Sequence, residues 1–589
     1  MRHGDRTPKS KVKLKFDVCE TVRDPGFFLG LICGWILGND EEIGQLLHIA
    51  DPCKEEARIY ELRATEQMQR LLTMLQTVVA AAGEASSGTS SSDAQPHCHT
   101  STCGQRMLSG IRAKDLDLLK AACNVLQKGL FKADASYIHA KIAIERGKQG
   151  DKPQETMQVT LKWGGELTQV GETQACALGK RFRSAVYPDE DMAHMHASLR
   201  HDLKVHSSPE PRCAQTAAAF ALGLLSLQCP LAAVQVNFVR LGLDGLGHAQ
   251  TADKSTVAKQ AKLASRALME SGRSIDSTFE AEALCEPGRY PKVSAQLEAC
   301  RTTYGTVRAA LDHLTKAVRE LDKMLSSVTQ SQPKLREAWP LIQQRWADLV
   351  KELKNKPSET VGAVLDHAKF DMRHTVPHLQ AAGECQSLCG AFQEVHELSS
   401  SIASYSDLGE YGSTAEEKFD IARTVLRPLL KKLHHDLRIA SGAHLGDEEH
   451  QRRWHTELYT PSGRPAAKGG LEQPLRTRLY FAHHSQMQSL VNLLRWAPER
   501  SQFLSEEGEA FLANMELPMG YLCYLVMKLW RHTSESETTY MVELALSPGD
   551  EGASSADNGL VPPSTVLHSG IPLHDLDSFL TRLCDSGGA

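Results

Sequence analysis

The chain has 589 residues, 41% of them hydrophobic and 23% charged, and its formal net charge is −6. This length allows one large domain with insertions or two to three domains, and the ordinary apolar, Gly and Pro contents exclude a collagen-like or wholly disordered chain. The mild acidity argues against nucleic-acid binding by global charge, and no apolar run reaches the roughly 18 residues that a membrane span needs.

The chain opens on the basic sequence MRHGDRTPKSKVKLKF, which lacks the charged, apolar and small-residue progression of a signal peptide. Residues 41–82 are rich in Leu, Ala, Glu and Gln at helical spacing, which predicts helices with a break at Pro52. The next stretch, about 83–108, is a Ser-rich low-complexity insert typical of a disordered surface loop. It contains metal-binding side chains at His97, Cys98, His99 and Cys103. Because these ligands lie together on one mobile loop, they favour an adventitious site, and we predict no functional metal.

A strand, a polar turn and a helix follow one another repeatedly along the rest of the chain. The pattern occurs in QVTLKWGGELTQVGETQACALGKRF, in LKVHSSPEPRCAQTAAAFALGLL and in TRLYFAHHSQMQSLVNLLRW. Residues from about 250 to 440 are mainly helical by periodicity, and YLCYLVMKLW and TTYMVELAL indicate late strands. The sequence therefore predicts an α/β fold, with a central sheet flanked by helices and a large, mainly helical insertion. We assign residues 1–549 to this domain and residues 550–589 to a linker and a C-terminal tail that ends in one short amphipathic helix.

Polar groups suited to phosphate chemistry occur at three predicted turns, which read RHGDRTP at residues 2–8, SSPEPR at residues 207–212 and HHSQ at residues 483–486. In an open α/β sheet, ligands bind beyond the carboxyl ends of the strands, where such turns lie. Arginine offers planar paired donors that match phosphate oxygens, and a neutral imidazole can attack phosphorus. The residues alone leave plainer interpretations open, namely a disordered basic tail at the start and an ordinary surface cation at Arg212. We expect His434 and His435, in the polar helix LKKLHHDLR, to be solvated.

The sequence RHGDRTP resembles the RHGxRxP signature of the histidine acid phosphatase superfamily. A closer resemblance is to the phosphatase-like domain of the diphosphoinositol pentakisphosphate kinase family. Its motifs follow in the same order as LKWGGELTQVGETQACALGKRFRSAVYP, RHDLKVHSSPEPRCAQTAAAFALGLL, HAKFDMRH, YGSTAEEKFDIA, TRLYFAHHSQMQSLVNLLRW and YMVELALSPG. The resemblance extends from residue 1 to about residue 549 and implies a histidine-phosphatase-like central sheet.

The resemblance also implies roles for individual residues. His3 resembles the phosphate-accepting nucleophile, and three arginines, Arg2, Arg6 and Arg212, resemble the clamps on the phosphoryl group. Four lysines are expected to contact a polyphosphate substrate, although a solvated basic strand would explain each of them equally well. They are Lys9, Lys11, Lys162 and Lys204.

The second histidine motif departs from the family pattern. His483 occupies the place of the second catalytic histidine, but its neighbour is His484 where the wider superfamily has an acid. We count both His483 and His484 among the candidate catalytic residues. Gln486 stands where the closer family has a later histidine. The source of the proton for the leaving group is therefore open, although a diphosphate leaves readily and needs an acid less than an alkyl phosphate does.

The leading hypothesis is a histidine acid phosphatase-type phosphohydrolase that removes a β-phosphate from diphosphoinositol polyphosphates through a phospho-histidine. It needs no cofactor, because ATP and Mg serve only the upstream ATP-grasp kinase domain that the family normally carries. The chain begins at Met1 without the apolar strand that usually precedes Arg-His-Gly. We therefore expect a fragment of a bifunctional kinase/phosphatase in which His3 is loosely held.

Two alternatives are a catalytically weakened phosphate-binding module that regulates the kinase and, less favoured, a phytase-like phosphatase of ordinary monoesters. The expected partners are inositol polyphosphates and pyrophosphates together with the upstream kinase domain, without nucleic acid or a membrane span. The 15 cysteines lack regular spacing, which favours free thiols in a reducing compartment, so we expect a cytosolic protein.

Overall fold

A computed structural model of the chain defines the fold. It describes residues 1–17, 57–62, 68–73, 75–76, 79–80, 113–130, 139–149, 152–186, 203–241, 256–272, 295, 298–299, 302–328, 337–381, 386–412, 414–441, 477–533, 538–550 and 561–585. The Ser-rich insert at about 83–108, with its four candidate metal ligands, lies outside these residues.

The strands of the described residues form three sheets. Their bounds are β1 Ser10–Asp17, β2 Ala57–Leu62, β3 His139–Gln149, β4 Lys152–Trp163, β5 Leu203–Ser207, β6 Val239–Leu241, β7 Thr477–Phe481, β8 Tyr524–Thr533, β9 Thr538–Ser547 and β10 Thr565–Pro572. The sheet that carries the candidate site is parallel, in the order β6-β5-β7. The other two are antiparallel, in the orders β1-β4-β3-β2 and β10-β9-β8.

Helices follow the strands of the parallel sheet and fill the middle of the chain. Their bounds are α1 Ala113–Leu130, α2 Gln169–Val186, α3 Pro211–Leu224, α4 Leu231–Phe238, α5 Thr256–Glu270, α6 Val307–Ser327, α7 Trp339–Asn355, α8 Pro357–His374, α9 Val376–Ala381, α10 Gln386–Glu410, α11 Ala415–Ala440, α12 His484–Trp496, α13 Glu506–Asn514 and α14 Leu573–Asp585. A parallel sheet flanked by helices, with helices α5 to α11 in the middle, confirms the predicted α/β class.

Residues 1–3 join the parallel sheet to the sheet of β8, β9 and β10. Arg2 forms a parallel bridge with Ala482 at the end of β7, and its N–H donates to the carbonyl of Cys523 at 2.8 Å. The N–H of His3 donates to the Ala482 carbonyl at 3.2 Å, and the His3 carbonyl accepts from Leu522 at 3.3 Å. The main chain of His3 is therefore fixed on both sides, and the expectation of a loosely held His3 is wrong.

The helical middle of the chain packs around one continuous apolar core. Helix α6 shows why the sequence is helical there, since its fully buried residues recur every three or four positions at Leu311, Leu314, Val318, Leu321 and Leu325. The same core continues through α12, β9, β10 and α14. The helical insertion therefore shares one core with the sheet of β8, β9 and β10, whereas the parallel sheet packs with α3 in a second core.

Other local predictions differ from the structure. Ala57–Leu62 is a strand rather than a helix, because it pairs antiparallel with residues 140–145 of β3, a partner that local periodicity does not reveal. His434 and His435 are not solvated, since α14 covers this part of α11: His435 is 7% exposed, and Nε2 of His434 lies 2.7 Å from Asp577. In the predicted tail, β10 pairs with β9, and α14 includes the predicted short helix.

No helix among the described residues combines the length and the apolarity needed to cross a membrane.

Candidate active site

Three turns meet where the strands of the parallel sheet end. Ser208 follows β5, His483 follows β7, and His3 lies beside the end of β7. The N–H of Ser208 donates to the Phe481 carbonyl at 3.0 Å, which ties the first two turns together. The ring centroids of His3 and His483 are 6.4 Å apart, so the structure brings the two predicted catalytic histidines into one site.

The loop after His3 is held by the turn that follows β4. The Thr7 N–H donates to the Glu166 carbonyl at 2.8 Å, and the Gly165 N–H donates to the Thr7 carbonyl at 2.9 Å. Gly164 has a φ of +93°, and a Cβ there would lie 2.0 Å from the Pro8 carbonyl oxygen. Only glycine fits both the backbone conformation and the close approach, which explains the Gly-Gly pair in KWGGELT.

Asp5 fixes the same loop from the inside. Its carboxylate accepts from the Thr168 hydroxyl at 2.7 Å and lies 2.7 Å from Nε2 of His374 and 3.4 Å from Nη1 of Arg373. Burial raises the pKa of Asp5, but the contacts with His374, Arg373 and Thr168 outweigh it, and the pKa is lowered overall. Asp5 is therefore a carboxylate that positions the loop.

His3 has the protonation state that a nucleophile needs. Its ring is 3% exposed, and Nδ1 lies 2.9 Å from the Gly4 carbonyl, which only a protonated nitrogen can use. The proton therefore belongs on Nδ1, and Nε2 keeps its lone pair. Burial, and then the charges of Arg2, Arg212 and Arg6, lower the pKa of His3 well below its usual value. The ring is neutral at neutral pH.

The three predicted clamp arginines surround His3, and each is oriented by a different partner. Arg2 donates through Nη1 to the carbonyls of Met519 and Gly520. Arg6 donates to Asp366 at 2.6 Å, and the charge of Asp366 raises the pKa of Arg6.

The third arginine, Arg212, donates through Nη2 to Nδ1 of His483 at 3.0 Å. The Nε atoms of Arg2, Arg6 and Arg212 are buried and have no hydrogen-bond partner among the described residues. Buried donors are nearly always paired, so three orphaned guanidinium donors around one imidazole indicate a site for an anion.

The His483 ring lies between a carboxylate and a guanidinium group. Nε2 is 2.6 Å from Oε2 of Glu210 and 3.2 Å from the Ser208 hydroxyl, whereas Nδ1 faces Arg212 at 3.0 Å and the Cys213 thiol at 3.6 Å. Burial lowers the pKa of His483, but the close contacts with Cys213 and Glu210 outweigh it and raise the pKa to about 9.

Glu210 is a carboxylate under the same conditions. Burial raises its pKa, but the contact with His483 outweighs it and lowers the pKa to about 2. Glu210 favours the protonated ring, which carries a hydrogen on Nδ1. A ring in that state cannot accept the hydrogen bond that Arg212 donates to Nδ1. The ring can therefore become an imidazolium only when the guanidinium turns to another acceptor.

The residues after His483 fix its main chain. The side-chain oxygen of Gln486 accepts from the His483 N–H at 3.1 Å, which caps the start of α12. This contact gives Gln486 a structural task that the comparison of motifs does not reveal. His484, the first residue of α12, is half-buried.

The four predicted substrate lysines lie in different places. Lys9 lies at the surface beside the arginines. Partial desolvation of its ammonium group, together with the charges of Arg212 and Arg6, lowers its pKa. On β1, Lys11 forms an ion pair with Glu352 at 2.5 Å and lies opposite Lys162 of β4. The fourth, Lys204, is buried in β5 opposite Arg478 of β7. The structure brings Lys9, rather than Lys204, to the edge of the site.

Sequence reasoning did not assign five residues that contact the site. Helix α8 contributes Asp366 and, about two turns later, the adjacent residues Arg373 and His374, all of which contact residues 5–6. Tyr521 places its ring centroid 5.9 Å from that of His3 and 4.7 Å from the Arg2 guanidinium carbon. Glu210 lies within the SSPEPR motif, and its position beside a motif arginine is the signal that could have identified it.

Comparison with known proteins shows which family shares this arrangement. The family model described as "Histidine phosphatase superfamily (branch 2)" matches residues 1–547, which confirms the resemblance inferred from the motifs. The inositol hexakisphosphate and diphosphoinositol-pentakisphosphate kinase 2 of Xenopus laevis is 25% identical over 95% of this chain and 46% of its own length. The human protein of the same name is 26% identical over 95% of this chain and 42% of its own length. The chain thus spans less than half the length of these relatives.

A plant relative has a similar degree of identity, since the inositol hexakisphosphate and diphosphoinositol-pentakisphosphate kinase VIP1 of Arabidopsis thaliana is 26% identical over 93% of this chain and 56% of its own length. Among solved structures, the apo form of Hafnia alvei phytase aligns over 72% of this chain and 88% of its own, with 12% identity and a TM-score of 0.31.

Proposed function

The chain belongs to branch 2 of the histidine phosphatase superfamily, and on this basis we propose that it is a phosphohydrolase whose nucleophile is His3. The observation that carries the proposal is the neutral His3 ring within three arginines whose buried Nε donors have no partner among the described residues. Neutral imidazole attacks phosphorus, and fixed guanidinium groups stabilise the charge on the transferred phosphoryl oxygens.

In the first step, Nε2 of His3 attacks the phosphorus, and the bond from phosphorus to the leaving oxygen breaks. The leaving group takes the bonding electron pair, and His3 keeps its Nδ1 proton on the Gly4 carbonyl. Arg2, Arg6 and Arg212 hold the phosphoryl oxygens, so most of the rate enhancement comes from positioning and charge.

In the second step, water attacks the phospho-histidine on the face that the leaving group has vacated. The N–P bond breaks, inorganic phosphate leaves, and Nε2 of His3 regains its lone pair. The proton that the water loses needs an acceptor, and His483, 6.4 Å from His3 between ring centroids, is the imidazole in position to accept it. The proposed reaction uses no metal or cofactor.

We further propose that the substrate is a diphosphoinositol polyphosphate and that the β-phosphoryl group is transferred. The names of the relatives refer to inositol hexakisphosphate and diphosphoinositol-pentakisphosphate as kinase substrates. A highly anionic substrate suits a site with three clamp arginines, and Lys9 adds a cation at its edge. In this proposal the partner is a kinase domain in the same longer protein, in the cytosol.

A second candidate function is a phosphate-binding module that regulates the kinase without turnover. Two of the arginines already have protein acceptors, since Arg6 pairs with Asp366 and Arg2 donates to the carbonyls of Met519 and Gly520. These contacts fix both guanidinium groups for binding an anion but supply no proton to a leaving group, so they are compatible with binding without turnover.

Release of phosphate from a diphosphoinositol pentakisphosphate, measured beside calorimetric binding of the same compound, distinguishes the two candidates. The enzyme predicts stoichiometric release of the β-phosphate that His3→Ala abolishes while binding is retained. Tight binding by the unmodified chain without release would overturn the enzyme in favour of the regulatory module. The matched control is His574→Ala, because the His574 side chain is 90% exposed on α14.

A further inference from the structure

The proton donor for the leaving group is the part of the site that the motif at residues 483–486 does not supply. His483 is followed by His484, Ser485 and Gln486, and the side chain of Gln486 caps the His483 main chain. A carboxylate nevertheless reaches the ring from another element. Glu210, the residue before α3, places Oε2 2.6 Å from Nε2 of His483.

We propose that Glu210 is a positioning residue that holds His483 as an imidazolium aimed at the leaving group, so that Nδ1–H of His483 donates the proton. This inference rests on the proposed function. The proton donor is then formed by Glu210, which follows β5, and His483, which follows β7, rather than by two residues adjacent in sequence.

The orientation of the ring supports this assignment. Glu210 and the Ser208 hydroxyl face Nε2, and Arg212 faces Nδ1 at 3.0 Å. Because Arg212 is a clamp arginine, the Nδ1 edge is the one that points to the phosphoryl group. A carboxylate 2.6 Å from the far nitrogen of a histidine stabilises the charged form of the ring.

Substrate binding allows His483 to become a proton donor. While Arg212 donates to Nδ1, that nitrogen must accept and the ring is neutral. A phosphoryl group is a stronger acceptor and draws the guanidinium away, after which Nδ1 can bind a proton. The acid therefore forms when the anion is in place, and the charged groups that face the ring are Glu210, Arg212, Cys213 and the neutral His3.

The proton balance closes over the two steps. When the bond from phosphorus to the leaving oxygen breaks, that oxygen takes the electron pair and the Nδ1 proton, and His483 becomes neutral. When water attacks the phospho-histidine, its proton returns to Nδ1, and the imidazolium beside Glu210 is restored.

The test compares Glu210→Gln, Glu210→Asp and the unmodified chain in phosphate release across pH, with kcat and KM determined separately. In Glu210→Gln we expect kcat to fall by about 10- to 100-fold with little change in KM. We also expect the alkaline limb of kcat/KM to move to lower pH, because the ring loses the charge that favours its protonation. Glu210→Asp should recover part of the lost kcat and part of the shift in the alkaline limb. Glu320→Gln on α6, whose side chain is 58% exposed, is the control for the loss of one carboxylate.

A second readout does not depend on turnover. In NMR titration of the labelled histidines, the pKa of His483 should be lower in Glu210→Gln than in the unmodified chain. An unchanged alkaline limb together with an unchanged His483 titration, in a chain that releases phosphate normally, would overturn the inference and leave the proposed function standing. An unmodified chain without any release would overturn the proposed function itself.

Discussion

The turn that carries His3 and the turn that carries His483 contain the same side chain in opposite electrostatic surroundings. Three arginines and burial keep the first ring neutral, and its Nδ1 proton is held by the Gly4 carbonyl. At the second ring, Glu210 and Cys213 outweigh burial and raise the pKa to about 9. Two imidazoles 6.4 Å apart can thus serve as nucleophile and acid at one pH.

The two turns also differ in how they are held. The His3 loop is fixed by side chains and carbonyls from distant parts of the chain, namely the turn after β4 and helix α8. In the His483 turn, Gln486 caps the main chain locally, and the ring is held by Ser208, Glu210 and Arg212 from the single turn after β5. The comparison teaches that the nucleophile depends on packing from several distant elements, whereas the acid depends on one, the turn that follows the paired strand β5.

Removal of the nucleophile should have the largest effect. We expect His3→Ala to lower kcat by a factor on the order of 10⁶, because His483, the other imidazole beside the arginines, lies against Glu210 and serves as the acid rather than the nucleophile. Rates of phosphate release against His574→Ala measure this effect. Substantial release by His3→Ala would break the assignment of the two rings, since the nucleophile would then lie elsewhere.

Loss of the Asp5 carboxylate, which anchors the His3 loop, should have the second-largest effect. Asp5→Ala leaves His374 without its buried carboxylate and Arg373 with Asp550 alone, and we expect the free energy of unfolding to fall by about 3–5 kcal/mol. Denaturant unfolding measures it, with Asp117→Ala on α1 as the exposed control, because the Asp117 side chain is 68% exposed. Equal stability of the two variants would show that the loop is not held from a distance.

The same anchor predicts a dependence on pH. The pKa of Asp5 is lowered from 3.8, because the contacts with His374 and Arg373 outweigh burial. Its contribution is therefore complete above that pH and is lost as the pH falls below it. The difference in unfolding free energy between the unmodified chain and Asp5→Ala should shrink in acid, and a difference that grows would contradict the ion-pair assignment.

A change at the clamp should have a moderate effect. Arg212→Lys keeps the charge but loses the planar pair of donors, so we expect kcat/KM to fall by about 10- to 100-fold, the equivalent of one charge-assisted hydrogen bond. The control is Arg308→Lys on α6, where the side chain is 47% exposed. Full activity in Arg212→Lys would mean that only its charge matters.

The helix cap at the second turn should have the smallest effect. Gln486→Leu keeps the volume and removes the acceptor for the His483 N–H, so we expect the free energy of unfolding to fall by about 0.5–2 kcal/mol. Gln486→Glu, which keeps an acceptor, should recover much of this loss. If Gln486→Leu instead abolished phosphate release at unchanged stability, Gln486 would act on the chemistry rather than on the main chain.

The sequence was most informative where a motif is local. His3, Arg2 and Arg6 lie in one heptapeptide, and Arg212 and His483 follow predicted strands, so their convergence at the strand ends could be predicted from the turn positions alone. The strand and helix pattern around them likewise predicts β5, β7, α3 and α12.

The rest depends on contacts between residues distant in sequence. Asp366 and His374 reach the loop of residues 4–8 from a helix some 360 residues later, and periodicity cannot show which face of α8 meets which loop. His434 was expected in solvent because α14, which covers it, comes 139 or more residues later. Glu210 lies 273 residues before His483 and meets it only because β5 pairs with β7, which the sequence around His483 does not show.

Rapid quench into denaturing alkali of the reaction with a β-labelled diphosphoinositol pentakisphosphate tests the central claim most directly. The claim is that His3 accepts the phosphoryl group and then yields it to water. It predicts acid-labile, base-stable label on the unmodified chain within the first turnover and none on His3→Ala. Phosphate release without any trapped label, or label that persists in His3→Ala, would contradict it.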